Sequence, residues 1–159
     1  MTALRRLLDR LLDTVLVALL AGAVANVSWQ IFARFVLASP SSVTDELARI
    51  LLIWLGLLGA ARVVGSGAHL SIGLLRERTP ESLRRPLAGF CDGMILLFAS
   101  SILLAGGARL VWITWELGQR TASAGLPLAL VYAVVPLVGL VMSFYALDAL
   151  RGRPEEAGA

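Results

Sequence analysis

Hydrophobic residues fall into four long runs that are separated by short polar segments. The runs are continuously apolar rather than alternating, and each approaches the roughly 20 residues that a helix needs to cross a bilayer. No lipid-facing loop can cross hydrocarbon, so each run must be a helix rather than a barrel strand. The pattern predicts an all-α integral membrane protein, a single membrane domain over 1–159. Its four spans are expected at about 12–36, 46–65, 88–115 and 126–148, with a cytoplasmic loop at 66–87.

Two prolines and a capping sequence refine these helices. Thr79 suits an N-cap, Pro80 the first helical position and Glu81 the positive end of the helix dipole. The third span is therefore expected to begin with a helical extension before the membrane, with a bend possible at Pro86. Pro136 falls within the fourth run and predicts a kink there.

The overall composition excludes most soluble proteins. The chain is 58% hydrophobic and 16% charged, with a mean hydropathy of +0.81. Soluble domains carry about 45–50% apolar and about 25% charged residues. A single cysteine, Cys91, excludes an internal disulfide and a zinc–cysteine cluster.

Arginine accounts for every basic residue, and its distribution predicts the orientation. Ten arginines lie before span one, between the last turn of span two and the start of span three, or after span four. The other four are Arg34, Arg49, Arg109 and Arg120. Because the side richer in arginine faces the cytoplasm, both termini are expected there. Arginines that flank apolar runs indicate membrane topology rather than nucleic-acid binding.

The N-terminus has a competing interpretation as a cleavable signal peptide. Arg5 and Arg6 precede an apolar stretch that reaches Ala23-Val24-Ala25, which resembles a cleavage site. The apolar run nevertheless continues to Leu37, which favours an uncleaved first span.

Polar residues within the first two spans are the main candidates for function. Gly22, Asn26, Gln30 and Arg34 recur every four residues, which predicts a helix-packing seam rather than a substrate path. In span two, Thr44 can cap the helix, Asp45 and Glu46 favour its start, and Arg49 can pair with Asp45. This cluster is either a capped helix start or an edge that docks a partner.

The sequence offers little for catalysis or cofactor binding. His69 is the single histidine, so a bis-histidine haem is excluded within this chain and a metal site lacks companions. No span carries a carboxylate near its middle, which argues against a self-contained ion-coupled pump. We therefore expect no catalytic residue, no metal and no cofactor, and a protein that is not an enzyme.

Several motifs resemble the small (Q-type) membrane subunit of tripartite ATP-independent periplasmic (TRAP) transporters over about residues 12–147. They are Arg34-Phe35, Asp45-Glu46-Leu47-Ala48-Arg49 followed by a helix containing Trp54, Gly67-Ala68-His69-Leu70, Gly118-Gln119, and Gly125-Leu126-Pro127 with Tyr132 and Pro136. Val43 and Gly73 depart from the family pattern, where tryptophan and aspartate are expected.

The resemblance implies a scaffolding role in the bacterial inner membrane. Such subunits pair with a large multi-span permease subunit, and a periplasmic solute-binding protein delivers a carboxylate-type solute for ion-driven import. Membrane lipid is the remaining expected partner. Candidate interface residues are Asn26, Gln30, Arg34, Asp45, Glu46, Arg49, Trp54 and His69. The alternative is a stand-alone four-span protein, either a small transporter or a redox membrane anchor.

Overall fold

A computed structural model describes residues 3–37, 41–66 and 81–152 of the chain. In these ranges the secondary structure is helical apart from turns and one isolated bridge between Arg120 and Pro127. The elements are α1 (Ala3–Phe35), α2 (Ser42–Gly65), α3 (Glu81–Phe98), a π-helix (Ala99–Gly106), α4 (Gly107–Glu116), α5 (Leu128–Tyr132) and α6 (Val134–Gly152).

Four stretches are long and apolar enough to cross a membrane, which confirms the predicted number of spans. They are Leu4–Phe35, Ser42–Gly65, Pro86–Glu116 and Leu128–Arg151. The first two helices begin earlier than expected, at Ala3 rather than 12 and at Ser42 rather than 46. Apolar runs reveal only the part of a helix that can lie in hydrocarbon, so they miss its polar first turns.

The start of α2 differs from the predicted cap. Because the helix begins at Ser42, Thr44 already lies inside its first turn. The Thr44 hydroxyl donates to the carbonyl of Ser41 at 2.8 Å instead of accepting a hydrogen bond from a backbone N–H. Thr44 is therefore not the N-cap of this helix.

The third span contains a π-helix that the hydrophobic pattern did not predict. The described part of this helix begins at Glu81, while Thr79 and Pro80, the predicted cap and first helical residue, lie outside the described residues. The Ser100 and Ser101 hydroxyls donate to the carbonyls of Leu96 at 2.7 Å and Leu97 at 2.5 Å. Serine hydroxyls bonded to the preceding turn loosen regular helices, and these two serines open the π segment.

The fourth span is interrupted at Ala133, between α5 and α6. Pro136 lacks an N–H group, and a proline ring clashes with the carbonyl four residues earlier, here that of Tyr132. The predicted disturbance is therefore present, but it lies one turn before the proline.

The chain divides into two compact units. Unit 1 combines Met1–Gly59 with Leu110–Val134, and unit 2 combines Ala60–Arg109 with Val135–Ala159. In unit 2, helices approach each other at glycines. A methyl group placed on Gly139 would lie 2.6 Å from the backbone nitrogen of Leu104, and one on Gly65 would lie 2.7 Å from the Tyr145 ring. A side chain at Gly139 would therefore collide with backbone, and one at Gly65 would require the Tyr145 ring to shift.

Candidate subunit interface

The less exposed positions of α1 form one narrow seam along the helix. From Leu12 onward they follow a spacing of four and three residues: Leu12, Leu16, Leu19, Ala23, Asn26, Gln30 and Ala33. Gly22 and Arg34, which the sequence placed on this stripe, are exposed instead. A strict interval of four drifts by about 40° at each step on a helix of 3.6 residues per turn, so only the middle of the predicted stripe stays on the seam.

The two amides of this seam hydrogen-bond to the first turn of α2. The Asn26 side chain donates to the carbonyl of Thr44 at 2.9 Å, and the Gln30 side chain donates to the carboxylate of Asp45. These contacts support the interpretation of the seam as helix packing. They also correct the expected Asp45–Arg49 pair, because Asp45 faces Gln30 and, in the part of the chain that the structure describes, no ion pair joins it to Arg49.

Glu46 does not simply favour its own helix start. Its carboxylate accepts hydrogen bonds from three consecutive backbone N–H groups of the loop that follows α4. The distances are 3.1 Å from Ala122, 3.0 Å from Ser123 and 2.8 Å from Ala124. This contact links residues more than 70 positions apart and fixes α2 to the 117–127 loop within unit 1.

Two glycines with left-handed backbones shape the 117–127 loop. Gly118, at φ 59°, follows the end of α4, and its N–H donates to the carbonyl of Trp115. The next amide, of Gln119, donates to the carbonyl of Thr114, which completes a Schellman ending. Gly125, at φ 64°, turns the chain back toward α5.

Trp54 compensates for the interruption of the fourth span. Its indole N–H donates to the carbonyl of Val131 at 3.0 Å. The last carbonyls of α5 have no amide one turn ahead within the helix, because the helix ends at Tyr132. Trp54 therefore supplies a donor to a backbone group that hydrocarbon would leave unsatisfied.

The remaining predicted residues have different positions. Arg34 and Arg49 are exposed at the end of α1 and near the start of α2. His69 lies outside the described residues. Among residues 3–37, 41–66 and 81–152, no three His, Cys, Asp or Glu side chains come together in a group that could hold a metal ion.

Sequence reasoning missed two features of the polar chemistry. The partners of Glu46 are main-chain amides. The one feature of the sequence that points to their loop is its pair of glycines, Gly118 and Gly125. Asp92, in the third span, is only 5% exposed. A carboxylate in a membrane helix is much less costly when protein rather than lipid surrounds it, which agrees with its burial.

Comparison with known families gives the helices and contacts a context. The sequence matches the family described as tripartite ATP-independent periplasmic transporters, DctQ component, over residues 23–153. The chain belongs to this family. The match includes α2 to α6 and residues 23–35 of α1. The chain is thus a small permease subunit of the TRAP family and a multi-pass protein of the inner membrane.

Named relatives agree with this assignment. The sialic acid TRAP transporter small permease protein SiaQ of Vibrio cholerae is 27% identical over 150 residues, which cover 91% of this chain and 82% of the relative. A putative TRAP transporter small permease protein of Haemophilus influenzae is 26% identical, with 90% and 87% covered. The C4-dicarboxylate TRAP transporter small permease protein DctQ of Rhodobacter capsulatus is 31% identical over 108 residues, 68% of this chain and 47% of the relative. These relatives are transporter subunits rather than enzymes.

Proposed function

We propose that this small permease subunit scaffolds a large, ion-coupled permease subunit that imports a carboxylate-type solute delivered by a periplasmic binding protein. The family match over residues 23–153 carries the proposal. Two relatives are named for sialic acid and for C4-dicarboxylates, and both solutes carry carboxylate groups. The family match also favours this function over a stand-alone transporter or a redox membrane anchor.

The exposed surface of α1 supports a scaffolding role. Only 6% of its most apolar stretch is buried within the chain, compared with 39% for the fourth span. The exposed aromatic residues Trp29, Phe32 and Phe35 occupy its last two turns. Such a surface needs lipid or a partner helix to cover it.

The hydrogen bonds within unit 1 divide the candidate interface residues into two groups. Asn26, Gln30, Asp45, Glu46 and Trp54 bond to groups of their own chain. Arg34 and Arg49 are exposed, so they are the candidates for direct contact with the large subunit. Gly56 lies two turns after Arg49 on the exposed face of α2. A methyl group added to Gly56 would meet no atom within 4 Å, so there is space for the backbone of a partner helix.

Co-purification with the large subunit tests the assembly. The wild-type chain should be retained by a tagged large subunit, and Arg49→Glu should reduce the retained amount. Arg6→Glu is the matched control, because it reverses another exposed arginine on a helix. If wild type is not retained, or if both variants lose binding equally, the proposed interface is wrong.

The proposed orientation places both termini in the cytoplasm and the 117–127 loop in the periplasm, on the basis of the arginine asymmetry. In a Cys91→Ser background, cysteines introduced at Ser41 and Gln119 should react with an impermeant thiol reagent added to intact cells. A cysteine at Thr79 should be protected. Labelling of Thr79 with protection of Ser41 would reverse the orientation.

A further inference from the structure

The contact between Glu46 and the 117–127 loop has the geometry of an anion site built from backbone. The N–H groups of Ala122, Ser123 and Ala124 converge on the carboxylate at 2.8–3.1 Å. Consecutive amides that point into one concavity bind anions, and hydrogen bonds to a charged acceptor are stronger than neutral ones. The structure thus shows a three-amide site with a carboxylate already bound in it.

The rest of the loop holds its shape through bonds to its own residues. The Thr121 N–H donates to the carbonyl of Leu126 at 2.8 Å, and the Leu126 N–H donates to the Thr121 hydroxyl at 3.0 Å. Closer to the helices, the Leu128 N–H donates to the carbonyl of Gln119 at 2.9 Å. These bonds join residues at the two ends of the loop, whereas the three central N–H groups donate to Glu46.

The neighbouring carboxylate provides an internal comparison. Asp45 and Glu46 carry the same charge in the same turn of α2, so each favours the helix start similarly. Asp45 contacts Gln30 of α1, whereas Glu46 reaches the loop. Any effect that is specific to Glu46 therefore comes from the loop and not from the helix dipole.

We propose that Glu46 is a positioning residue that holds the loop between spans three and four in the conformation that transport requires, by serving as the anion of a three-amide site. When Glu46 is absent, a small free carboxylate such as acetate binds the same amides. The step from loop conformation to transport rests on the proposed function, while the anion site itself does not.

Trypsin provides a reporter that needs no added label. Arg120 lies in the loop and is exposed, and no other lysine or arginine occurs between Arg109 and Arg151. Cleavage after Arg120 requires the loop to open locally. We expect Glu46→Ala in the purified full chain to accelerate this cleavage about tenfold. Without the carboxylate, the three amides lose their charge-assisted hydrogen bonds and the loop opens more often.

Two further variants and a comparison of two salts separate charge from shape. Asp45→Ala should leave the cleavage rate near that of wild type. Glu46→Gln should accelerate cleavage, because its NH₂ group brings donors to a site made of donors. Sodium acetate should slow cleavage of Glu46→Ala toward the wild-type rate, while sodium chloride at the same concentration and acetate on Asp45→Ala should have little effect. Equal rates for Glu46→Ala and Asp45→Ala, or no specific rescue by acetate, would overturn the anion site.

Uptake by the complete complex tests the functional step. With large subunit and binding protein present, Glu46→Ala should assemble like wild type yet transport several-fold more slowly, and acetate should restore part of the rate. Asp45→Ala should retain more activity than Glu46→Ala. Normal uptake by an assembled Glu46→Ala complex would overturn the positioning role. Absence of uptake with the wild-type chain would instead contradict the proposed function and leave the trypsin result intact.

Discussion

Unit 1 and unit 2 hold their helices together by different means. In unit 1, side chains of Asn26, Gln30, Glu46 and Trp54 bond to distant groups, mostly of the main chain. In unit 2, Gly65, Gly107 and Gly139 let neighbouring residues approach to within van der Waals distance. Because lipid is as apolar as a helix surface, membrane helices associate through close packing and hydrogen bonds. The two units show these two solutions within one chain.

The difference predicts which changes each unit tolerates. Close packing at glycine fails when atoms are added, most of all at Gly139, where the nearest opposing atoms are backbone and cannot move aside. Hydrogen bonding fails when a donor or acceptor is removed, because a polar backbone group is left without its partner. Substitutions of both kinds therefore test whether the units differ as described.

The largest effect is expected at Gly139. A methyl group there would lie 2.6 Å from the Leu104 nitrogen and 2.8 Å from the Leu103 carbonyl carbon. Gly139→Ala should lower the free energy of unfolding in micelles by about 1–3 kcal/mol, and Gly139→Leu by more.

Gly56→Ala is the matched control for this prediction. The added methyl group meets nothing within 4 Å. Since alanine is the better helix former by about 0.5–1 kcal/mol, this variant should be neutral or slightly more stable when the chain is purified alone. Equal losses at Gly56 and Gly139 would remove the distinction between the open and the packed glycine.

An intermediate effect is expected at Trp54. Trp54→Phe keeps an aromatic ring but removes the donor to the Val131 carbonyl. The free energy of unfolding should fall by about 1–2 kcal/mol, because the carbonyl beside the helix interruption loses its partner. Trp112→Phe serves as the control, since Trp112 is 69% exposed, and it should be close to neutral.

The smallest effect is expected at Asn26. Asn26→Ala removes the bond to the Thr44 carbonyl, and hydrogen bonds between membrane helices are worth about 0.6 kcal/mol on average. Ser28→Ala changes an exposed polar residue of the same helix and should have no measurable effect. A loss at Asn26 as large as that at Gly139 would show that hydrogen bonds stabilise unit 1 as strongly as packing stabilises unit 2.

The sequence predicts the spans well because crossing hydrocarbon imposes length and hydrophobicity on each helix. It also identifies Asn26 and Gln30, because amides within a membrane helix are costly unless they face protein. It misplaces Gly22 and Arg34, because an interval of four does not follow the geometry of a helix over several turns. A candidate seam of this kind is better sought with alternating steps of three and four.

The role of Glu46 could not be predicted from residue types. Its partners are backbone amides of a loop more than 70 residues away, and the pair of glycines in that loop is a sequence signal for a turn, not for a bond to Glu46. The π-helix is similar, because Ser100, Ser101 and the Gly106–Gly107 pair permit an irregular helix without requiring one. Trp54 looks like an interfacial or packing aromatic, and its donor role appears only once the helix break at Ala133 is known.

Uptake by reconstituted proteoliposomes tests the central claim most directly. Liposomes that contain this chain, the large subunit, or both should be compared under an inward sodium gradient, with the binding protein and labelled carboxylate solutes added outside. We expect uptake only when both membrane subunits are present, because the proposed role of this chain is that of a scaffold whose partner moves the solute. Sodium-driven uptake by this chain alone, or full uptake by the large subunit without it, would contradict that claim.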